Sequence, residues 1–339
     1  MNIYGLTKED IGNYCVSKGE KPFKSTQIFE WLYRQKVRSF DEMSNIKKSF
    51  LEVLKSDFDL KLLDVKTRQE SNDGTIKYLF ELTDGNLIET VLMNHNYGYS
   101  VCVTSEVGCN MGCAFCASGM KKKIRNLEAY EMVLQVLSVS VLENIRVSHI
   151  VVMGIGEPFD NYDNVIKFLK IVNDPKGLEI GARHISVSTC GVVPKIYEYA
   201  NFDLQVNLAI SLHAPNNKIR NEIMPINKAY DINELVEAIG FYIEKTNSRV
   251  TIEYILLDGI NDTPSCAHEL ANLLNGLNVY INLIPYNEVI EKPYKRSKKE
   301  HMKAFFDILK KRGMNVTLRK EQGGDIDAAC GQLRSKHIK

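Results

Sequence analysis

The sequence predicts an α/β protein built on a full or partial βα barrel. From residue 99 onward, short β-branched runs alternate with amphipathic stretches, and six strand–helix units of this kind can be recognised. Repeated strand–helix units give a parallel sheet, and about six of them are typical of a barrel. A mostly helical region precedes the barrel, and two apolar runs flanking an Asp-Gly turn lie between the two regions.

The predicted elements follow one another in a regular order. Barrel strands are predicted at 100–106, 147–153, 184–189, 205–212, 250–257 and 279–284, with a last strand at 316–319. Helices are predicted between them at 127–143, 162–172, 194–200, 231–246, 264–275 and 297–312. Before the barrel, a helix is predicted at 25–37, where Ile28, Trp31 and Leu32 recur at helical spacing. The runs at 77–82 and 87–93 predict a β-hairpin.

These elements indicate four regions along the chain. We expect a helical domain at 1–75, a hairpin linker at 76–94, the barrel at 95–325 and a C-terminal loop at 326–339. The 339 residues are sufficient for one large barrel and a small additional domain. Because the loops that follow barrel strands gather on one face, the chemistry is expected there.

Composition limits the class of protein. Hydrophobic residues make up 44% and charged residues 25% of the chain, as in an ordinary globular protein. No apolar run approaches the length of a membrane span, and the first residues lack a signal-peptide pattern, so a cytoplasmic protein without a membrane partner is expected. A net charge of +1 neither requires nor excludes a nucleic-acid partner. Eight cysteines in such a chain favour metal binding or catalysis over a disulfide framework.

Three cysteines lie close together after the first predicted barrel strand, in the loop GCNMGCAFCASG. The spacing of Cys109, Cys113 and Cys116 suits three thiolate ligands of a 4Fe–4S cluster, and Gly108 and Gly112 allow the loop to bend around it. Three ligands leave one iron open to S-adenosylmethionine, which the cluster can then reduce. The alternatives are buried thiols or a zinc site, although zinc usually takes four ligands and no second cysteine pair follows.

Further strings, in order along nearly the whole chain, carry a specific resemblance. They are IETVLM, CVTSEVGC, MGIGEP, SVSTCG, NLAISLHAP, MPIN, NLIPYN and DIDAACGQL. With the cysteine loop, they closely resemble the radical SAM adenine methyltransferases of the RlmN family, to which the Cfr resistance enzymes are related. The resemblance implies a partial barrel of six βα units, a 4Fe–4S cluster and two molecules of S-adenosylmethionine for each methyl group placed on adenine.

The resemblance also implies catalytic residues. Cys330 matches the cysteine that takes a methyl group from one S-adenosylmethionine and presents it, as a methylene radical, to the base. Cys102 matches the cysteine that then attacks the Cys330 sulfur, releasing the product and leaving a disulfide that must be reduced at each turnover. Glu89 matches the base that takes the proton from the ring carbon. Without the resemblance, Cys102 is more simply a buried structural thiol and Glu89 a solvated strand residue, and Cys330 is as easily an incidental thiol as a catalytic one.

The same comparison of motifs implies the contacts to S-adenosylmethionine. The matching positions are Gly156, Glu157, Ser188, Ser211, Leu212, His213 and Asn287. All of them fall at or just after predicted strand ends, as the barrel requires. Without the resemblance, Glu157 could simply cap the following turn, and His213 would more often be a hydrogen-bonded structural histidine than a ligand. The remaining cysteines, Cys15, Cys190 and Cys266, are expected to be structural.

Basic clusters and the resemblance together suggest the partners. Lysines and arginines cluster at 121–125, 292–299 and 34–38, where they are expected to contact phosphates of 23S rRNA and tRNA. An electron donor such as flavodoxin or ferredoxin is implied, and a monomer is expected. Methylation at C2 of adenine is favoured by the MGIGEP and NLIPYN segments and by the N-terminal region. Two alternatives are Cfr-type methylation at C8 and a zinc-stabilised RNA-binding module without catalytic activity.

Overall fold

A computed structural model describes residues 1–320, 322–329 and 332 of the chain. Its first region contains three helices, α1 (Lys8–Ser17), α2 (Lys24–Tyr33) and α3 (Lys48–Asp57). The apolar faces of these helices bury Ile28, Phe29 and Leu54 in one core that continues into the barrel. Thr7 caps α1 through a reciprocal side-chain bond with Asp10, which fixes where the helix begins.

An antiparallel segment follows, made of β1 (Asp64–Glu70), β2 (Ile76–Glu81) and β3 (Leu87–His95). The predicted hairpin is confirmed, and Gly85 adopts a φ of +81° in its turn. The helical reading of residues 1–75 is wrong for 64–70, which form the edge strand β1. That strand is exposed along almost its whole length, so its sequence lacks the apolar alternation that marks a half-buried strand.

The barrel contains seven parallel strands, β4 (Gly98–Cys102), β7 (Val147–Val152), β8 (Ile185–Thr189), β9 (Asn207–Ser211), β10 (Val250–Leu256), β11 (Val279–Pro285) and β12 (Val316–Leu318). A short separate pair, β5 (Glu106–Val107) and β6 (Arg125–Asn126), flanks the cysteine loop. The single large sheet has the order β1-β2-β3-β4-β7-β8-β9-β10-β11-β12, so the hairpin continues the barrel sheet rather than standing apart from it.

Helices cover the outer face of this sheet. They are α4 (Ala129–Leu142), α5 (Tyr162–Asn173), α6 (Val193–Tyr199), α7 (Asn217–Ile223), α8 (Ile232–Thr246), α9 (Pro264–Leu273) and α10 (Lys299–Lys311). Six strands are each followed by one or more helices before β12 ends the series, which confirms the predicted partial barrel of six βα units. Across the described residues, none of the helices combines the length and apolar character needed to cross a membrane.

The C-terminal segment crosses from β12 back to the hairpin. Asp325 accepts hydrogen bonds from the Ser71 hydroxyl at 2.6 Å and from the Asn72 amide at 3.2 Å. The Gly323 amide donates to Asp73 at 2.9 Å. Gly323 has a φ of +65°, and a Cβ at that position would lie 2.8 Å from the Cβ of Ala328, so the turn requires glycine. These hydrogen bonds fasten the segment to the turn between β1 and β2.

Candidate active site

The cysteine loop leaves the barrel between β5 and β6 and is anchored at several points. The Ala114 amide donates to the carbonyl of Ile223 in α7 at 2.9 Å, and the Tyr286 hydroxyl donates to the carbonyl of Phe115 at 3.0 Å. Gly108 has a φ of +79°, and a Cβ there would lie 2.3 Å from the carbonyl oxygen of Lys122. These contacts give the loop a defined path and bring its three cysteines to one cavity.

The three cysteine side chains do not form a compact site for a single ion. Among the described residues, only Asp258, Asp262 and His301 bring three such ligand atoms within 4.8 Å of one another. At least two of the three cysteine sulfurs are therefore more than 4.8 Å apart, whereas sulfurs bound to one zinc ion lie about 3.8 Å apart. This spacing leaves room for an iron–sulfur cluster. Burial raises the pKa of the Cys109 thiol to about 12, so thiolates form here only when a metal replaces the protons.

A cavity of about 160 Å³ adjoins these cysteines. Its walls include five of the residues predicted to contact S-adenosylmethionine, which are Gly156, Glu157, Ser188, Ser211 and His213. All five lie at or after the carboxyl ends of β7, β8 and β9, as the barrel rule predicts. The Ser188 and Ser211 hydroxyls lie 3.3 Å apart and face the same space. The structure thus brings most of the predicted site together beside the cysteine loop.

Glu157 is almost fully buried at the cavity wall. Its two carboxylate oxygens accept from the Phe159 amide at 2.9 Å and the Cys190 amide at 2.7 Å. Burial raises the pKa of Glu157, and these backbone hydrogen bonds oppose the change. The preceding Gly156 has a φ of +109°, and a Cβ there would lie 2.6 Å from the side chain of Glu106. The backbone therefore passes close to the cavity only because residue 156 is glycine.

His213 is held as a neutral imidazole. Its Nδ1 accepts from the Ile255 amide at 3.1 Å, and burial, followed by the charge of Arg220, lowers its pKa to about 3. The residue adopts a φ of +56°, which turns the chain sharply after β9. The neighbouring Leu212 has its side chain fully buried in the main core and does not line the cavity.

Cys102 lies at the end of β4 and borders a second, smaller cavity of about 40 Å³. The lining of this cavity also includes Val91, Met93, Asn287, Ala328 and Ala329. Asn287 is therefore placed beside Cys102 rather than among the other predicted S-adenosylmethionine contacts. The two cavities adjoin, because Met153, Ile284 and Arg319 line both.

Of the three predicted catalytic residues, the structure describes Cys102 and Glu89. Cys330 lies outside the described residues, whereas Ala328 and Ala329, just before it in sequence, lie beside Cys102. Glu89 is buried on β3, on the face shared with Val91. The Thr104 hydroxyl donates to the Glu89 carbonyl at 2.6 Å, which ties this strand to the start of the cysteine loop.

Several residues near the site were not predicted. Glu106 is fully buried, accepts from the Glu157 amide at 3.0 Å and pairs with Lys123 at 3.0 Å. Burial raises the pKa of Glu106 to about 7 despite that partner. Cys190, expected to be only structural, lines the cavity of the three cysteines. Sequence offers no signal for either role, because each depends on contacts between distant segments.

The basic cluster after the cysteine loop is only partly available to RNA. Lys123 bridges Glu106 and Asp160, and Arg125 pairs with Glu131 at 2.7 Å. These two side chains hold the loop to the barrel. Lys122 remains exposed at the surface beside them. The expectation of phosphate contacts therefore applies to part of the cluster only.

Comparison with known proteins agrees with this geometry. Residues 1–59 match the ribosomal RNA large subunit methyltransferase N-terminal domain, and residues 104–274 match the radical SAM superfamily. A radical SAM methyltransferase structure from Sphaerobacter thermophilus is similar, with 42% identity and a TM-score of 0.94 over 98% of this chain and 99% of that one. The fold and the site thus define a radical SAM methyltransferase, with S-adenosylmethionine and a 4Fe–4S cluster as the cofactors of its class.

Two curated relatives identify the family more closely. A Listeria monocytogenes serovar 1/2a protein described as a probable dual-specificity RNA methyltransferase RlmN is 57% identical over 100% of this chain and 94% of its own. The corresponding Enterococcus faecalis protein is 58% identical over 100% of this chain and 97% of its own. The chain belongs to the RlmN family of radical SAM RNA methyltransferases. Membership of this enzyme family excludes the alternative of a zinc-stabilised RNA-binding module without catalytic activity.

Proposed function

We propose that this enzyme methylates C2 of a specific adenine in 23S rRNA and of an anticodon-loop adenine in tRNA, through a methylated cysteine. The observation that carries the proposal is the pair of adjoining cavities at the carboxyl ends of the strands. One cavity contains Cys109, Cys113 and Cys116, and the other joins Cys102 to the C-terminal segment. This arrangement suits a methyl-carrying cysteine that is near the cluster when the radical forms and near Cys102 when the product is released.

In this proposal the three cysteines of the loop hold the cluster, and Gly156, Glu157, Ser188, Ser211 and His213 surround S-adenosylmethionine. When bound, the cluster supplies the electron that cleaves the S–C5′ bond of this cosubstrate. Asn287 lines the neighbouring cavity, and Arg319 lines both cavities. Leu212 directly follows Ser211, at the end of β9.

The residues of the second cavity handle the methyl group. Cys330 accepts a methyl group from one S-adenosylmethionine, loses a hydrogen atom to the radical derived from another, and bonds through the resulting methylene to the adenine carbon. The resulting adduct radical loses one electron, for which the oxidised cluster would be the acceptor, and Glu89 takes the proton from the ring carbon. The Cys102 thiolate then attacks the Cys330 sulfur and breaks the bond between that sulfur and the methylene carbon. The released carbon takes up a proton to become the methyl group, and a Cys102–Cys330 disulfide is left for an external thiol to reduce.

We also propose roles for the four regions of the chain, an electron donor and a mode of RNA recognition. The regions 1–75, 76–94, 95–325 and 326–339 would serve as RNA-binding domain, linker, catalytic barrel and methyl-carrying loop. A flavodoxin or ferredoxin would supply the electron to a monomeric enzyme in the cytoplasm. An adenine within structured RNA must leave its stack to reach the cavity, so recognition by shape and base extrusion is expected.

One labelling experiment tests the position and the route together. The enzyme is first freed of its resident methyl group and then supplied with S-adenosylmethionine carrying a trideuterated methyl group. Transfer through Cys330 gives 2-methyladenosine with two deuterium atoms, together with 5′-deoxyadenosine containing the third. The ratio of S-adenosylhomocysteine to 5′-deoxyadenosine should be one to one. Product with three deuterium atoms would overturn the cysteine route, and 8-methyladenosine alone would overturn the C2 assignment.

A further inference from the structure

Arg220 in α7 is the largest fully buried side chain of the described residues, with no exposed surface. Its guanidinium makes three hydrogen bonds, all to neutral acceptors. Nε donates to the Leu212 carbonyl at 3.2 Å, Nη1 to the Asn227 amide oxygen at 2.9 Å and Nη2 to the Cys190 carbonyl at 2.6 Å. Within the part of the chain that the structure describes, no carboxylate lies within 4.0 Å of this guanidinium.

A buried cation without a counter-charge is energetically unfavourable. Arginine stays protonated in proteins, and the loss of hydration of a buried ion costs several kcal/mol unless an opposite charge compensates. Three neutral acceptors satisfy the geometry of the guanidinium without neutralising its charge. The position of Arg220 therefore calls for an anion that is part of the working protein and close to this side chain.

The surroundings of Arg220 indicate where that anion lies. Cys190, whose carbonyl accepts from Nη2 of Arg220, lines the same cavity as Cys109, Cys113 and Cys116. Negative charge on Cys190 or Cys113 would oppose the lowering of the Arg220 pKa by burial. Glu157 is also nearby, but it contacts the amide of Cys190 rather than the guanidinium. His213 is neutral, since burial and Arg220 itself lower its pKa to about 3. Of these groups, Cys113 belongs to the proposed set of cluster ligands.

The same side chain joins three loops around the cavity. Its acceptors lie after β8, at the end of β9 and after α7. The helix that carries it also holds the cysteine loop, through the hydrogen bond between Ala114 and Ile223. Arg220 is thus placed behind the cysteine cavity, on the side away from solvent, and its position is set independently of the cavity's contents.

We propose that Arg220 is the buried counter-charge of the iron–sulfur cluster and raises the cluster's reduction potential. This inference rests on the proposed assignment of Cys109, Cys113 and Cys116 as cluster ligands. Three thiolates give the cluster a net negative charge, and reduction adds one more. A fixed cation in a site of low polarity stabilises the reduced form more than the oxidised form, because the attraction grows with the negative charge.

The test measures the midpoint potential of the reconstituted cluster by EPR-monitored titration in the absence of S-adenosylmethionine. Arg220→Met and Arg220→Gln should shift the potential to a more negative value, and Arg220→Lys should restore most of the difference. Arg249→Met removes an exposed arginine at the start of β10, at the opposite end of the barrel, and should leave the potential unchanged. Equal potentials in wild type, Arg220→Met and Arg220→Gln would overturn the proposal. A shift that appeared only with S-adenosylmethionine bound would also overturn it.

Thermal unfolding provides a second measurement that does not depend on the redox state. Arg220→Met removes an uncompensated charge but also three buried hydrogen bonds, so the test compares the stability that each protein gains when the cluster is bound. With the cluster, the variant should gain less stability than the wild type gains. A variant that is equally destabilised in both forms would indicate a purely structural role and overturn the proposal.

Iron analysis separates this proposal from the function on which it rests. Cys113→Ala should lose iron; full iron retention by that variant would refute the ligand assignment itself. If Cys113→Ala loses iron but the Arg220 variants keep the wild-type potential, only the counter-charge is refuted.

Discussion

The Lys77 ammonium lies 3.5 Å from the Glu89 carboxylate, and both side chains are more than nine-tenths buried. Lys77 is on β2 and Glu89 on β3, in diagonal positions on the same face of the hairpin. The ammonium also donates to the Asp327 carbonyl at 3.2 Å, three residues before position 330 in the sequence. One buried cation therefore joins the proposed base to the segment that leads to the proposed methyl carrier.

Replacing this lysine should impair the step that depends on the base. In Lys77→Met, Glu89 loses a neighbouring positive charge, so burial favours its protonated form and it takes a proton less readily. We expect slower methylation at neutral pH, on the order of 10- to 100-fold, since general-base catalysis contributes about 10²–10⁴-fold. The acid limb of the pH–rate profile should move to higher pH, and Lys77→Arg should recover part of the rate.

The matched control is Lys66→Met. Lys66 pairs with Glu81 at 2.7 Å across β1 and β2, but this pair is near the exposed edge of the sheet. Lys66→Met should change neither the methylation rate nor the pH–rate profile. An unshifted profile in a folded Lys77→Met enzyme would contradict the assigned effect on Glu89.

Removing Cys102 should trap a covalent complex between protein and RNA. Without a thiol to attack the Cys330 sulfur, the methylene bridge to adenine persists, and Cys102→Ala should show an RNA-linked band on denaturing gels that nuclease removes. The double variant Cys102→Ala/Cys330→Ala should lose the band, because no carrier remains. Cys266→Ala changes a buried cysteine on α9 and should behave as the wild type. A band that survived in the double variant would refute the carrier role of Cys330.

The parts of the fold that sequence predicts are those encoded by local pattern. The hairpin and the alternating strands and helices have apolar periodicities and turns that depend only on nearby residues, and their order confirms the partial barrel. β1 was not predicted because it is a polar edge strand. Its conformation depends on pairing with β2 and leaves no pattern in its own residues. The order of the motifs likewise located the cysteine loop. The roles proposed for the charges of Lys77 and Arg220 could not be predicted, because they depend on contacts between segments that are distant in sequence.

RNA binding should depend on exposed lysines near the cysteine loop and not on those already paired. Lys122→Ala removes an exposed cation, and each lost phosphate contact should reduce the slope of log affinity against log salt by about 0.7–0.9. Filter binding of tRNA at several salt concentrations measures this slope. Lys170→Ala, which removes an exposed lysine near the end of α5, should leave it unchanged. The same slope for Lys122→Ala and wild type would mean that this side chain does not contact phosphate.

The neutral state of His213 predicts a pH dependence of stability with a definite sign. The fold lowers its pKa from 6.5 to about 3, so only the unfolded chain takes up a proton as pH falls below 6.5. The contribution of neutral His213 to the free energy of unfolding is complete above pH 6.5 and declines progressively toward pH 3. At pH 5.5 the loss is about 1.4 kcal/mol, from the proton bound by the unfolded state alone.

His213→Gln keeps an acceptor for the Ile255 amide but cannot titrate, so it removes this contribution. Between pH 7.5 and 5.5 the variant should therefore lose about 1.4 kcal/mol less free energy of unfolding than the wild type. Anaerobic urea titrations followed by circular dichroism measure both values. His268→Gln changes an exposed histidine on α9 and should lose as much as the wild type. Equal losses in wild type and His213→Gln would show that the imidazole is protonated in the folded protein at pH 5.5.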